Sequence, residues 1–250
     1  MGTGSLYLIP VPLGEGDDLN AVIPEQAKHL AATLHTFVVE HPKTARQFLK
    51  LTGTAIPLQE IRMLTLDEHT RHEELEALLQ PLLAGEDVGL LSEAGCPAVA
   101  DPGANLVRLA HSRNIRVIPL VGPSSILLAL MASGLNGQSF AFLGYLPAEK
   151  TERVKRIAEI ELTSQQLNQA QIFIETPYRN NQLLQDLVQT CGADTELCIA
   201  SDLTLPSEYV MTKRISEWKK SLPDCNKRPT VFLLYRRPSK TKSAPPRQKR

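Results

Sequence analysis

Apolar blocks separated by amphipathic stretches set the first reading of this chain. Strand-like runs recur at Leu6 to Val11, Thr36 to Val39, Val88 to Leu91 and Ile115 to Val121. Helix-period segments lie between them, near Pro24 to Leu34, Thr44 to Leu51, Asp67 to Leu83 and Ala104 to Ser112. Such alternation predicts parallel strands joined by crossover helices. The clearest helix carries Leu75, Leu78, Leu79, Leu82 and Leu83 on one face, acidic residues early and Gly85 as a stop, with Pro81 predicting a kink or an early end. From residue 122 the pattern changes: Gly122-Pro123-Ser124-Ser125 opens an apolar helix from Ile126 to Met131, and strands follow at Phe140 to Leu146, Ile172 to Glu175, Glu196 to Ala200, Tyr209 to Lys213 and Val231 to Tyr235. Helices are expected near Glu152 to Leu162 and Tyr178 to Thr190. The second half therefore reads as richer in strands, and the expected division is an amino-terminal α/β domain over 5–121, a mixed-sheet α/β domain over 122–236 and a basic tail over 237–250.

Composition narrows the class. The 250 residues are 42% hydrophobic, ordinary for a soluble globular chain. The longest apolar run, Ile126 to Ala132, is far short of the roughly 20 residues that span a bilayer. The amino terminus lacks a basic patch, an apolar stretch and a cleavage site, so a cytoplasmic protein without membrane contact is expected. Cys96, Cys191, Cys198 and Cys225 form no C-x-x-C pair and read as reduced thiols. His69 and His72 could share a helix face, but no further ligands stand at suitable spacing, and no metal is expected.

Charge is balanced overall at 27 basic and 27 acidic residues, but unevenly placed. The chain from Arg236 onward has seven basic residues and no acidic one, leaving 20 basic against 27 acidic in the body. An acidic globule with a cationic, unfoldable tail suits a polyanion such as RNA, or simply a solubilising appendage.

The densest chemical signal is Leu90-Leu91-Ser92-Glu93-Ala94-Gly95-Cys96-Pro97-Ala98-Val99-Ala100-Asp101-Pro102-Gly103, an apolar strand that stops in two small-residue turns before a helix. Gly95 would let a ligand approach the backbone, and the helix after Asp101 would point its first amides into the same crevice. Two more small-residue loops follow apolar strands, Pro10-Val11-Pro12-Leu13-Gly14 and Gly122 to Ser125. Jointly, with hydroxyls at Ser92, Ser124 and Ser125, they predict a small-molecule site at the carboxyl ends of the strands. Gly14-Glu15-Gly16 alone is too little for a phosphate loop.

These loops resemble the tetrapyrrole-methylase-type, class III S-adenosylmethionine-dependent methyltransferases. Ser92 to Pro97 with Asp101-Pro102-Gly103 is similar to the family's S-D-A-G-T-P…S-D-P-G. In order along the chain, Leu6 to Gly14 resembles L-Y-x-V-x-T-P-I-G, Gly122 to Ser125 with Ala132 to Leu135 resembles P-G-P-S-A…S-A-S-G-L, Phe142 to Pro147 resembles F-x-G-F-L-P, and Ile172 to Arg179 resembles I-F-Y-E-S-P-H-R. The branch that methylates ribosomal RNA is the nearest in pattern. The resemblance implies a two-domain α/β enzyme, a homodimer, with S-adenosylmethionine in the interdomain cleft. It carries cofactor contacts onto Pro10, Pro12, Gly14, Ser92, Gly95, Cys96, Pro97, Ser124 and Ser125. It also implies cleft-facing positions for Tyr145 and Glu175, which are expected to shape a substrate site.

Two segments depart from that branch. Val39-Glu40-His41-Pro42-Lys43-Thr44-Ala45-Arg46 stands where it has A-E-D-T-R-H-T, and Ser201-Asp202-Leu203-Thr204-Leu205 where it has R-E-L-T-K. Glu40 is the candidate base or substrate orienter, with Lys43 and Arg46 as phosphate contacts. The expectation is methyl transfer to an oxygen of a structured RNA, the ribose 2′-hydroxyl first. A small-molecule methyltransferase and a non-catalytic binder of S-adenosylmethionine or RNA are the alternatives.

Overall fold

The structure, a computed structural model, describes residues 2–67 and 69–238, without the side chain of His72. The expected tail from residue 239 onward lies outside the described residues. Internal contacts divide the chain between Ser125 and Ile126.

In chain order the first unit contains β1 (Ser5–Ile9), α1 (Leu19–Val22), α2 (Glu25–Thr33), β2 (Thr36–Val39), α3 (Pro42–Leu51), β3 (Arg62–Thr65), α4 (His72–Leu78), α5 (Gln80–Leu83), β4 (Val88–Leu91), α6 (Gly103–Ser112) and β5 (Arg116–Pro119). The strands form one parallel sheet in the order β3-β2-β4-β1-β5. Successive side chains on a strand face opposite ways, so the unit has two cores. Leu6, Val38, Leu90, Leu82 and Leu106 build one, and Ile9, Phe37, Val39, Phe48 and Leu91 the other. Every residue of β2 and β4 is buried, as expected of parallel strands covered on both faces.

β3 was not among the expected strands. Arg62-Met63-Leu64-Thr65 lies at the sheet edge with both end residues exposed, so it lacks the apolar block that marks its neighbours. The long helix expected over Asp67 to Leu83 is two helices, α4 and α5. Pro81 sits in the first turn of α5, where its missing amide hydrogen breaks no intrahelical bond.

The second unit contains α7 (Ser125–Ser133), β6 (Phe140–Tyr145), α8 (Lys150–Leu167), β7 (Ala170–Ile174), α9 (Asn180–Thr190), β8 (Glu196–Ser201), β9 (Tyr209–Arg214), α10 (Ile215–Trp218) and β10 (Thr230–Tyr235). Its sheet order is β6-β7-β10-β8-β9, with β6 parallel to β7 and every other neighbouring pair antiparallel, so the sheet is mixed. Each sheet thus has five described strands, and the second half is not the richer one. Phe173 and Phe232 stack at 6.0 Å in its core, against Ile157 and Ile160 of α8, Leu183 and Leu187 of α9 and Trp218 of α10. Arg153 and Asp186 link α8 to α9 beneath this layer through a buried two-pronged ion pair, Nε and Nη2 reaching Oδ2 at 2.8 and 2.7 Å.

Candidate functional site

Strand register brings the first unit's loops to one edge. Ile9 lies opposite Leu91, Leu91 opposite Val39, and Leu8 opposite Pro119. Four neighbouring strands therefore end level, and the segments beginning at Pro10, Glu40, Ser92 and Leu120 leave the sheet side by side. This is the edge where open α/β sheets bind ligands.

Three of these segments are joined to one another. Val11 and Gly95 exchange backbone hydrogen bonds of 3.0 and 3.2 Å, an isolated antiparallel bridge between the first and second loops. A Cβ on Gly122 would fall 2.1 and 2.3 Å from Cγ and Cβ of Pro10, so the third loop presses its backbone onto the first. The Cys96 thiol donates to the Pro123 carbonyl at 3.3 Å, closing the third side. Burial holds that thiol above its usual pKa, which suits a neutral donor.

The same geometry revises several roles. Gly95 has φ +70°, and a Cβ there would meet Leu13 Cδ2 at 3.0 Å and Pro123 O at 3.3 Å, so the glycine serves loop packing, and the space beside it is filled by protein. Ser92 is buried, and its hydroxyl donates within the loop to Gly95 O at 3.2 Å. The first amide of α6 does not point free into a crevice: Gly103 N donates to Asp101 Oδ1 at 2.7 Å, and Ala98 N to the same oxygen at 3.1 Å. Burial raises the Asp101 pKa, partly offset by those amides. Pro10, Gly95 and Pro97 are buried, whereas Pro12, Gly14, Cys96, Ser124 and Ser125 are half-buried and retain accessible surface.

Asp17 was missed by sequence reasoning. Its Oδ2 accepts from Leu13 N at 3.0 Å and Gly14 N at 3.3 Å, so a carboxylate of the chain already occupies the amides that a phosphate loop would offer. Its Oδ1 is buried without a hydrogen-bond partner among the described residues. The signal available in sequence was an Asp three residues past a turn glycine, the local spacing at which such side chains bond backbone amides.

The segment after β2 meets the loop that begins at Ser92. Glu93 Oε1 accepts from the Thr44 hydroxyl at 2.7 Å and lies 3.5 Å from His41 Nδ1. Glu40 is half-buried at the sheet edge, and Lys43 and Arg46 are exposed on α3.

In the second unit, Glu175 follows the carboxyl end of β7. It is buried, and Oε1 accepts from Arg179 Nη2 and from Thr176 N, both at 2.6 Å. Glu175 Oε2 and Arg179 Nε are buried without partners among the described residues. Tyr145, at the end of β6, is 59% exposed and follows the β-bulge at Gly144, φ +69°. Within Ser201 to Leu205, Asp202 is bound by Arg228 Nε at 2.7 Å and Ser207 Oγ at 2.9 Å. Thr204 holds φ +76°, a costly backbone for a β-branched residue.

With two α/β units and conjoined loops at strand ends established, the comparisons assign the class. The family model of tetrapyrrole (corrin/porphyrin) methylases matches residues 5–219, and the chain belongs to that family. It is an S-adenosylmethionine-dependent methyltransferase. Ribosomal RNA small subunit methyltransferase I of Vibrio cholerae is 31% identical over 216 residues, covering 86% of this chain and 70% of that protein. The protein of the same name from Xylella fastidiosa is 32% identical over 232 residues, covering 92% and 80%. Among solved structures, the methyltransferase CobJ superposes with a TM-score of 0.62 at 16% identity over 93% of this chain and 94% of that one. The cobalt precorrin-4 methyltransferase CbiF gives 0.58 at 13% identity, covering 92% and 94%. At those identities the likeness is one of fold.

The first unit's loops suit the methyl donor. Backbone groups, half-buried hydroxyls and Asp17 Oδ1, which has no partner among the described residues, suit a cationic ligand rich in hydrogen-bonding groups, and Asp17 already fills the nest that a phosphate would require.

Proposed function

We propose that this protein methylates structured RNA, with ribosomal RNA of the small subunit as the substrate class and a ribose 2′-hydroxyl as acceptor. The single observation that carries this reading is the exposed pair Lys43 and Arg46 on α3, which begins at the same sheet edge as the cofactor loops, in a chain whose 31% and 32% identical relatives bear an rRNA methyltransferase name. Cations beside the reacting edge hold the phosphate backbone and so fix the register of the nucleotide to be modified.

When bound, S-adenosylmethionine supplies an electrophilic methyl group whose bonding pair returns to sulfur. The chain's residues then have three tasks. Pro10, Pro12, Gly14, Ser92, Gly95, Cys96, Pro97, Ser124 and Ser125 form and line the loops that hold the cofactor, with Asp17 bracing the first. Glu40, beside them at the end of β2, orients the acceptor hydroxyl. Tyr145 offers an exposed ring on which a base can stack, and Glu175 Oε2 a buried acceptor without a donor among the described residues. The homodimer belongs to the same reading, supported by the exposed Leu127 and Met131 of the apolar helix α7.

The test separates RNA from cofactor. Lys43→Ala with Arg46→Ala is expected to weaken binding to small-subunit RNA about 10-fold or more and to flatten its salt dependence by about two charges, with calorimetric affinity for S-adenosylmethionine unchanged. Unchanged RNA affinity, or equal loss of both ligands, contradicts the assignment.

A further inference from the structure

We propose that His41 is the proton acceptor for the acceptor hydroxyl, held in orientation by Glu93. This deepens the proposed function and rests on its claim that the methyl acceptor is a hydroxyl.

The His41 backbone is fixed on both sides. Because it precedes Pro42, its backbone is confined to the extended region, and it lies at φ −125°, ψ 114°. Its carbonyl accepts from Ala45 N at 3.2 Å, the bond that opens α3, and lies 2.9 Å from the Thr44 hydroxyl. Its Nδ1 stands 3.5 Å from Glu93 Oε1, and Glu93 is held at that oxygen by Thr44 Oγ1 at 2.7 Å. The contact crosses from the end of β2 to the end of β4, adjacent strands whose last residues Val39 and Leu91 are in register.

A carboxylate facing Nδ1 selects the tautomer that carries its proton there, leaving the Nε2 lone pair to accept. The His41 side chain is 64% exposed, so the ring is open to an incoming hydroxyl. At 3.5 Å the pair stands beyond an ordinary hydrogen bond, and such contacts tighten when substrate binds. Glu93 is the charged group facing the ring, and it also acts on Asp101; along the chain Glu40 precedes His41, and Lys43 and Arg46 follow it in α3.

The acceptor O–H bond breaks, its proton forms an N–H bond at His41 Nε2, and its electron pair stays on oxygen to bond the methyl carbon. The imidazolium then returns the proton to solvent. Glu93 and Thr44 are positioning residues and take no proton.

Two measurements test the proposal. In the cofactor-free protein, the ¹⁵N shifts of the His41 ring are expected to show the Nδ1-protonated tautomer, and Glu93→Gln to shift the population toward Nε2–H. The same tautomer in both proteins overturns the role of Glu93. With small-subunit RNA as acceptor, His41→Gln is expected to lower kcat about 100-fold or more, with cofactor affinity and melting temperature unchanged. Imidazole should restore part of the rate to His41→Ala. A His41→Gln enzyme with wild-type kcat overturns the proposal. A wild-type enzyme that transfers no methyl group to any RNA overturns the RNA reading instead, and the tautomer measurement still judges the His41–Glu93 pair.

Discussion

At the scale of single residues, the conjoined loops of the first unit depend on side chains that are absent as much as on those present. Gly122 is the sharpest case, because a Cβ there would meet two ring atoms of Pro10, and a proline ring has no rotamer by which to withdraw. Gly122→Ala is therefore expected to cost about 1–3 kcal/mol, the ordinary range for overpacking, and to reduce affinity for S-adenosylmethionine by parting the first and third loops. Thermal melting and calorimetry check the two effects together. A variant with normal melting and normal affinity would mean that these loops do not form one cradle. Gly95, with φ +70° and Leu13 beside it, belongs to the same class of position, although the sequence alone presented it as ligand space.

At the scale of elements, the α8–α9 layer rests on a buried charge pair. Arg153 and Asp186 are almost wholly buried, and Arg153 Nη1 also donates to the Ala148 carbonyl at 2.7 Å. Asp186→Ala leaves a guanidinium in the core, with an expected loss of about 3–5 kcal/mol measured by chemical denaturation. A loss under 1 kcal/mol would show that the arginine finds solvent easily.

Elements of this kind differ in how plainly sequence announces them. The buried strands β2 and β4 were legible to the residue, because each is an unbroken apolar block bounded by turn residues. β3 was not, since an edge strand needs no such block. The loops of the site were legible through their glycines and prolines. Asp17, Glu93 and His41 were not, because their roles come from partners: Asp17 from two amides of its own turn, Glu93 and His41 from each other across about 50 residues of chain.

For the whole molecule, the electrostatic asymmetry carries the main consequence. The seven basic residues from Arg236 onward follow β10, whose end pairs with the start of β8: Tyr235 lies opposite Glu196, whereas Thr230 lies opposite Ser201. The chain therefore leaves the second sheet at the end away from Ser201 and its loop. Two of the seven, Arg236 and Arg237, are tied to Glu161 and Glu196. Deleting residues 239–250 removes the other five and is expected to leave melting and cofactor affinity unchanged, while weakening RNA binding and lowering its salt slope. An unchanged slope would assign those cations to solubility alone.

The central claim is that the methyl group goes to a ribose hydroxyl of RNA. Ribose methylation mapped across the small-subunit RNA of a strain lacking this protein, against its parent, tests it most directly. The account predicts one position that loses its resistance to alkaline cleavage in the deletion strain and regains it when the purified protein and S-adenosylmethionine are added. Identical maps from the two strains, with a purified protein that binds the cofactor yet labels no RNA, would contradict it.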